Sequence, residues 1–251
     1  MVSLVNRVIL NGLNLDFKCS IRKAFTLAEV LIVIGIIGIV AAITIPNLIT
    51  KYKQIVAVNA LKTAYSKFSQ VINMAKNEYG DIGSWDTSMS DDEFTKQYIL
   101  TYLNQYNKLP KRYVIYTLYP ASSNEYNYWS WNNSTNPIYQ TINAQTFVVR
   151  IVNYNVMGKI YRTDILLNID INGTQAPNVL GLDTFVFQID QSSNGLIVHG
   201  EGNDRSSLIG DEGSLSGACS KNAGTVRYSG QLCAALIKRD GWKISKDYPW
   251  K

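Results

Sequence analysis

Three textures of apolar and polar positions follow one another along this chain. From Phe25 to Ile45 the run FTLAEVLIVIGIIGIVAAITI is apolar on every side of a helix and contains one charge, Glu29. At about 1.5 Å per residue it spans roughly 31 Å, the thickness of a bilayer's hydrocarbon core. Past Pro46 polarity rises while helical periodicity persists. Leu61, Tyr65, Phe68, Ile72, Ala75 and Tyr79 recur at alternating spacings of four and three, with Lys62, Lys67 and Lys76 off that stripe. A single apolar stripe predicts a helix packed on its own domain, and Gly80 and Gly83 end it.

A second helix is signalled by Ser90 with Glu93 three residues on, a capping box, and by Asp91 and Asp92 in the first turn; it should stop by Pro110. Beyond that point the texture is β. Segments 113–119, 146–152, 159–169, 184–189 and 196–199 are rich in Val, Ile, Tyr, Phe and Thr. Between the first two, 121–137 is full of Ser, Asn, Tyr and Trp and reads as a long exposed excursion. The expected fold is α+β: a long N-terminal helix, half transmembrane and half amphipathic, packed on a mainly antiparallel sheet.

Composition changes this picture only locally. The chain of 251 residues is 46% hydrophobic and 17% charged, averages that conceal the apolar concentration near the N-terminus. Its length suits one domain plus an anchor. The net charge of +5 suggests nucleic acid until it is located, because Arg7, Lys18, Arg22 and Lys23 against Asp16 put +3 of it in the first 24 residues. No block of like charges follows, so no nucleic-acid surface is expected. Arg22 and Lys23, directly before the apolar run, place its N-terminal side in the cytoplasm and the later residues outside. A secretory signal peptide would begin the same way. The length of the run, Glu29 inside it and the lack of an A-x-A site after it argue against one. Cys19 precedes the run, whereas Cys219 and Cys233 lie close together near the C-terminus. Outside the cytosol that pair reads as a disulfide, the alternative being two buried thiols.

Lys23-Ala24-Phe25-Thr26-Leu27-Ala28-Glu29, followed by VLIVIGIIGIVAAITIP, resembles the type IV prepilin cleavage and methylation segment. The match joins a basic leader, a small residue, Phe25, a glutamate four residues later, an apolar helix with Gly35 and Gly38, and Pro46 at its end. It departs in two places: Ala24 stands where the family usually has Gly, and the leader is long and contains Val8, Ile9, Leu10, Leu13 and Leu15. The resemblance implies a pilin-like fold and four regions: a leader (1–24), a transmembrane or filament-core helix (25–46), its amphipathic continuation (47–80) and a globular domain outside the cytoplasm (81–251). A membrane aspartyl peptidase, the prepilin peptidase, would cut between Ala24 and Phe25, and the new Phe25 amine would be N-methylated. The implied partners are that peptidase, the cytoplasmic membrane and other pilin or pseudopilin subunits in a helical filament, of a type IV pilus or of a type II secretion pseudopilus.

Two residues would then serve assembly. Glu29, a carboxylate in an apolar setting, needs a cation, and the Phe25 amine of a neighbouring subunit supplies one. Pro46 lacks the N–H of a helix bond and disfavours helix at its neighbour, so the segment around it can kink or melt when subunits pack. The rival class is a permanently anchored binding protein outside the cytoplasm that uses 25–45 only as a tether. Glu29 separates the two on the view that a tether has no use for it.

Two further stretches resemble the outer domains of bacterial pilin-like proteins. In Asp170-Ile171-Asn172-Gly173 and then Pro177-Asn178, Gly181 and Asp183, oxygen-bearing side chains share one segment. Asp170, Asn172 and Asp183 are candidate Ca²⁺ ligands, although the glycine is misplaced for an EF-hand and no bidentate Glu closes the loop. The simpler reading is an Asn172-Gly173 turn joining two strands. The stretch from Cys219 to Trp250 resembles chain ends in which a cysteine pair staples the last strand to the domain, and Trp242 and Trp250 read as packing or rim residues. No enzyme is expected: His199 is the sole histidine and lies near no Cys or Ser motif, and no Walker, Rossmann or metal-site spacing occurs.

Overall fold

A computed structural model of the chain describes residues 26–109, 137–210, 217–219 and 229–249, together with the backbone of four short strand segments at 9–10, 13–14, 114–116 and 128–130. The chain divides into two compact units, Met1–Lys51 and Tyr52–Lys251. In the first, β1 (Ile9–Leu10) pairs antiparallel with β2 (Leu13–Asn14). Helix α1 (Leu27–Tyr79) begins in this unit and ends in the second. Its residues up to Lys51 are almost all exposed, including Leu31 at 54% and Ile37 at 60%. It is the one helix among the described residues long and apolar enough to cross a membrane.

In the second unit α1 buries the predicted stripe, with Leu61, Phe68, Ile72 and Ala75 at 0% exposure. Fully burying a Leu or Phe side chain contributes about 1.5–3 kcal/mol. Phe68 meets Phe147 edge-on at 5.0 Å between centroids. The helix stops at Gly80, whose φ of +79° suits glycine and whose N–H donates to Lys76 O.

Helix α2 (Asp91–Tyr98) carries the expected capping box, Ser90 Oγ accepting from Glu93 N and Glu93 Oε2 from Ser90 N. Its acidic first turn also docks the helix, since Asp91 Oδ1 accepts from Ile151 N and Asp92 Oδ1 from the Tyr139 hydroxyl. The helix ends earlier than Pro110. A 3-10 turn (Leu100–Tyr102) follows, and then β3 (Tyr106–Leu109). Asn104 and Asn107 are poor strand formers, and pairing with the sheet decides the strand by supplying the backbone partners a helix would have supplied.

Within the stretches expected as a strand and an excursion, β4 (Val114–Tyr116) pairs with β5 (Tyr128–Ser130); the rest of 110–136 lies outside the described residues. The main sheet adds β6 (Ile138–Thr141), β7 (Thr146–Val156), β8 (Lys159–Asp170), β9 (Thr184–Asp190) and β10 (Gly195–Val198). Its order is β10-β9-β8-β7-β6-β3, antiparallel throughout. Ile165, Leu167 and Ile169 of β8 join the core under α1, while Leu166 clusters with Val148 and Val186 apart from that core, the two-residue alternation of a sheet buried on both faces. The fold is the expected α+β, a long N-terminal helix followed by an antiparallel sheet.

Among the described residues two helices follow the sheet, α3 (Arg205–Ile209) and α4 (Cys233–Arg239). The expected stapling of a last strand is corrected here, because Cys233 opens a helix. The segment CAALIKR consists mostly of good helix formers, and Cys233, Ala234 and Ala235 are buried in the core.

Candidate functional site

The N-terminal turn of α1 holds the first candidate. Glu29 Oε2 accepts from Thr26 N at 2.8 Å and from Thr26 Oγ1 at 2.9 Å, while Thr26 Oγ1 accepts from Glu29 N at 3.2 Å. This is a capping box, and it gives Glu29 work to do in a plain tether. The view that only assembly needs this carboxylate is therefore corrected. The signal was legible, for Thr26-x-x-Glu29 repeats the spacing of Ser90-x-x-Glu93. The cleavage and methylation candidates Ala24 and Phe25 lie outside the described residues.

At Pro46 the helix runs on without a break. Proline offers no N–H to the Ala42 carbonyl, which leaves that acceptor without its helix donor. Neighbouring side chains bond back to the turn, Asn47 Nδ2 to Ile43 O at 3.5 Å and Thr50 Oγ1 to Pro46 O at 3.0 Å.

The second candidate is the loop from Ile171 to Asp183 between β8 and β9, which brings Asp170, Asn172 and Asp183 together. Asn172 N donates to Asp170 Oδ1 at 3.0 Å, and Asn172 Nδ2 to Asp183 Oδ2 at 3.2 Å. Asp183 also accepts from Asn178 N and Val179 N, and Asp170 Oδ2 from Thr184 Oγ1. Burial pushes the Asp183 carboxyl up from the usual carboxylate range, against the pull of these donors.

Every carboxylate oxygen in the cluster thus faces an N–H or O–H. The buried Asn172 Oδ1 is the oxygen left without a donor, whereas Ca²⁺ takes six to eight. The residues fit a clasp that holds the loop and do not fit a Ca²⁺ site. Nor is the connection a two-residue hairpin: Gly173 turns at φ +76°, but the chain travels on to Asp183 before β9 begins.

The Cys219–Cys233 disulfide lies against this loop, with a Cα–Cα distance of 4.8 Å and a sequence separation of 14. A Cβ on Gly181 would stand 2.5 Å from Cys233 Sγ, so the close approach requires glycine there. The Tyr248 hydroxyl donates to Gly181 O and ties the chain end to the same place.

Sequence reasoning also passed over Arg205, which joins α3 to the C-terminal segment through Asp240 at 3.0 Å and Asp247 at 2.7 Å. His199 has a partner, Nδ1 lying 3.2 Å from Gln188 Oε1, and burial pushes its pKa down. Trp242 packs on Tyr65 at 5.6 Å, while Trp250 lies outside the described residues.

Two family models match this chain. One, described as a family of unknown function (DUF6613), covers residues 47–251, most of the sequence. The chain belongs to that family. The other, the prokaryotic N-terminal methylation motif, covers residues 19–45. Residues 19–45 are therefore a type IV pilin-like, prepilin-type segment, and the two matches meet between Ile45 and Asn47. No curated protein and no solved structure matches the chain. The methylation motif marks the chain as a pilin- or pseudopilin-type substrate of a prepilin peptidase.

Proposed function

We propose that this protein is a structural subunit of a type IV pilus or of a type II secretion pseudopilus. It is inserted in the cytoplasmic membrane by the first part of α1, with the Tyr52–Lys251 unit outside the cytoplasm. The observation that carries this reading is the methylation motif over residues 19–45 on a helix whose apolar side chains find almost no cover within the chain. Lipid covers such a surface before assembly, and the helices of other subunits cover it afterwards.

On this reading a prepilin peptidase cuts between Ala24 and Phe25, and the Phe25 amine is then methylated. Thr26 occupies Glu29 in the single chain. In a filament the Phe25 amine of a neighbouring subunit replaces or joins those donors and neutralises the carboxylate in an apolar core. The Thr26–Glu29 cap specifically favours the second reading, a permanently anchored binding protein, because it explains Glu29 without a neighbour.

Mass spectrometry of the mature N-terminus, in membrane and sheared-filament fractions, tests the proposal. Methylated Phe25 in both fractions is expected. An intact leader in mature material, or cleavage after Ala42, would sink it.

A further inference from the structure

Strands β7 and β8 outrun their neighbours in the sheet. β6 pairs with β7 at Phe147 and Thr146, and β9 with β8 from Ile165 onward. Residues before Ile165 on β8, with their β7 partners, therefore form a two-stranded ribbon closed by the Met157-Gly158 turn. Seven residues at about 3.3 Å each carry its tip roughly 23 Å past the last rung shared with β9.

The tip is apolar and unusually built. Val156, Ile160 and Tyr161 are exposed, and Met157 is 99% exposed at a φ of +51°. Position one of this turn favours Asn, Asp or Gly, since a positive φ strains other side chains. A long apolar side chain is thus held out in solvent at a conformational cost, the kind of strain that marks a contact residue. From Val152 to Thr163 no acidic residue occurs.

At the other end of β8, about 40 Å away over its twelve residues, a groove of ≈ 390 Å³ opens between α1 and the Ile171–Asp183 loop. Val56, Ala57 and Ala60 line one side and Ile171, Pro177 and Leu182 the other. Tyr52 and Ile55 extend its apolar surface along the helix. Within this unit α1 runs from the groove to the ribbon end: Gln145 Nε2 donates to Ala60 O near the first, and Lys76 Nζ to Asn194 O at the β9–β10 turn near the second.

We infer that the ribbon tip of one copy of this chain seats Met157 and its apolar neighbours in the α1–loop groove of the next copy. A knob and a groove at opposite ends of one unit make a heterologous, head-to-tail contact, which propagates as an open filament instead of closing as a symmetric dimer. This rests on the filament reading above and names which surfaces meet. The contact is small and holds as one of several repeated along the assembly. The groove is lined by one cation and one carboxylate, Lys53 and Asp183, and the ribbon tip carries Lys159. Charge gives the pairing no net direction, so the contact rests on apolar burial.

Oxidative cross-linking of the full chain in sheared filaments tests the inference. Val56→Cys combined with Met157→Cys gives a ladder of dimers, trimers and higher species, and each single variant stays monomeric. Ala176→Cys replaces Val56→Cys if the latter fails to fold. In parallel, Met157→Asp lowers filament incorporation by on the order of tenfold while Met157→Leu does not.

Dimers from Met157→Cys alone would mean a symmetric contact, and a Met157→Cys adduct with a different protein would mean another occupant. Either overturns the inference, as does a double variant that sediments in filaments without a ladder. That last outcome leaves the filament reading intact, whereas failure of the wild-type chain to enter filaments overturns both.

Discussion

Helix α1 carries two stretches of similar backbone and opposite surroundings. Leu61, Phe68 and Ile72 reach zero exposure against a sheet that follows them in the sequence, whereas Leu31 and Ile37 stay more than half exposed. The difference lies in how apolar residues are spread around the helix. A stripe can be satisfied by one neighbour, so the second stretch is part of a domain core. A helix that is apolar all round must be surrounded, and among the described residues 27–51 nearly every side chain is exposed. On the filament reading proposed above, lipid or other copies cover it. Glu29 and Pro46 belong to the exposed stretch, the clasp and disulfide to the self-contained one.

The largest effect that would sharpen this comparison comes from Glu29. Glu29→Gln keeps a capping-box side chain and removes the charge, whereas Thr26→Ala removes the cap and keeps the charge. If a neighbour's amine is the partner, Glu29→Gln enters filaments as poorly as Glu29→Ala, and Thr26→Ala enters them well. Comparing sheared-filament with membrane fractions measures this. Wild-type incorporation of Glu29→Gln would leave Glu29 a helix cap and show that assembly does not need its charge.

Next in size is a pair of truncations, one in each stretch. Phe68→Ala, at a fully buried position against Phe147, destabilises the globular unit by about 3–5 kcal/mol. Ile37→Ala leaves its melting transition unchanged. Thermal unfolding of the detergent-solubilised chain reads both, and a large shift for Ile37→Ala would show that residues 27–51 are covered by the chain itself.

Replacing Cys219 and Cys233 by Ser costs about 2–4 kcal/mol, as expected for a bridge closing a loop of this length. The same transition reads the loss. Non-reducing peptide mapping of exported protein finds the pair linked, while two alkylatable thiols there would refute it.

The smallest effect is on pH. Arg205 donates to both Asp240 and Asp247 and holds their carboxyls below the usual range. Groups depressed in the folded state stabilise it above their unfolded values and lose that contribution as pH falls through the folded ones. Asp183 has the opposite sign. Its raised pKa means that its ionisation opposes folding, and this cost fades as pH falls toward about 4. Hydrogen exchange over residues 240–248 should therefore stay slow down to about pH 4 and rise below it, before the core opens.

Much of this was legible in the sequence because local patterns carried it. The uniform apolar run, the stripe from Leu61 to Ala75, the Ser90–Glu93 box and the β-branched and aromatic content of β7, β8 and β9 each need only residues near one another. The prepilin-type segment is a linear motif of the same kind. By itself, then, the sequence determined the long helix, the antiparallel strands and the membrane-crossing length.

What it left open depended on partners distant in the chain. Tyr106–Leu109 became a strand because β6 lies beside it, and the cysteine pair closed on a helix because small side chains at Ala234 and Ala235 fit the core. Asp170, Asn172 and Asp183 were singled out together, but only the folded loop decided that their oxygens face N–H and O–H donors. Sequence spacing sets which side chains can share a face; which atoms meet, and with what polarity, is set when remote segments pack.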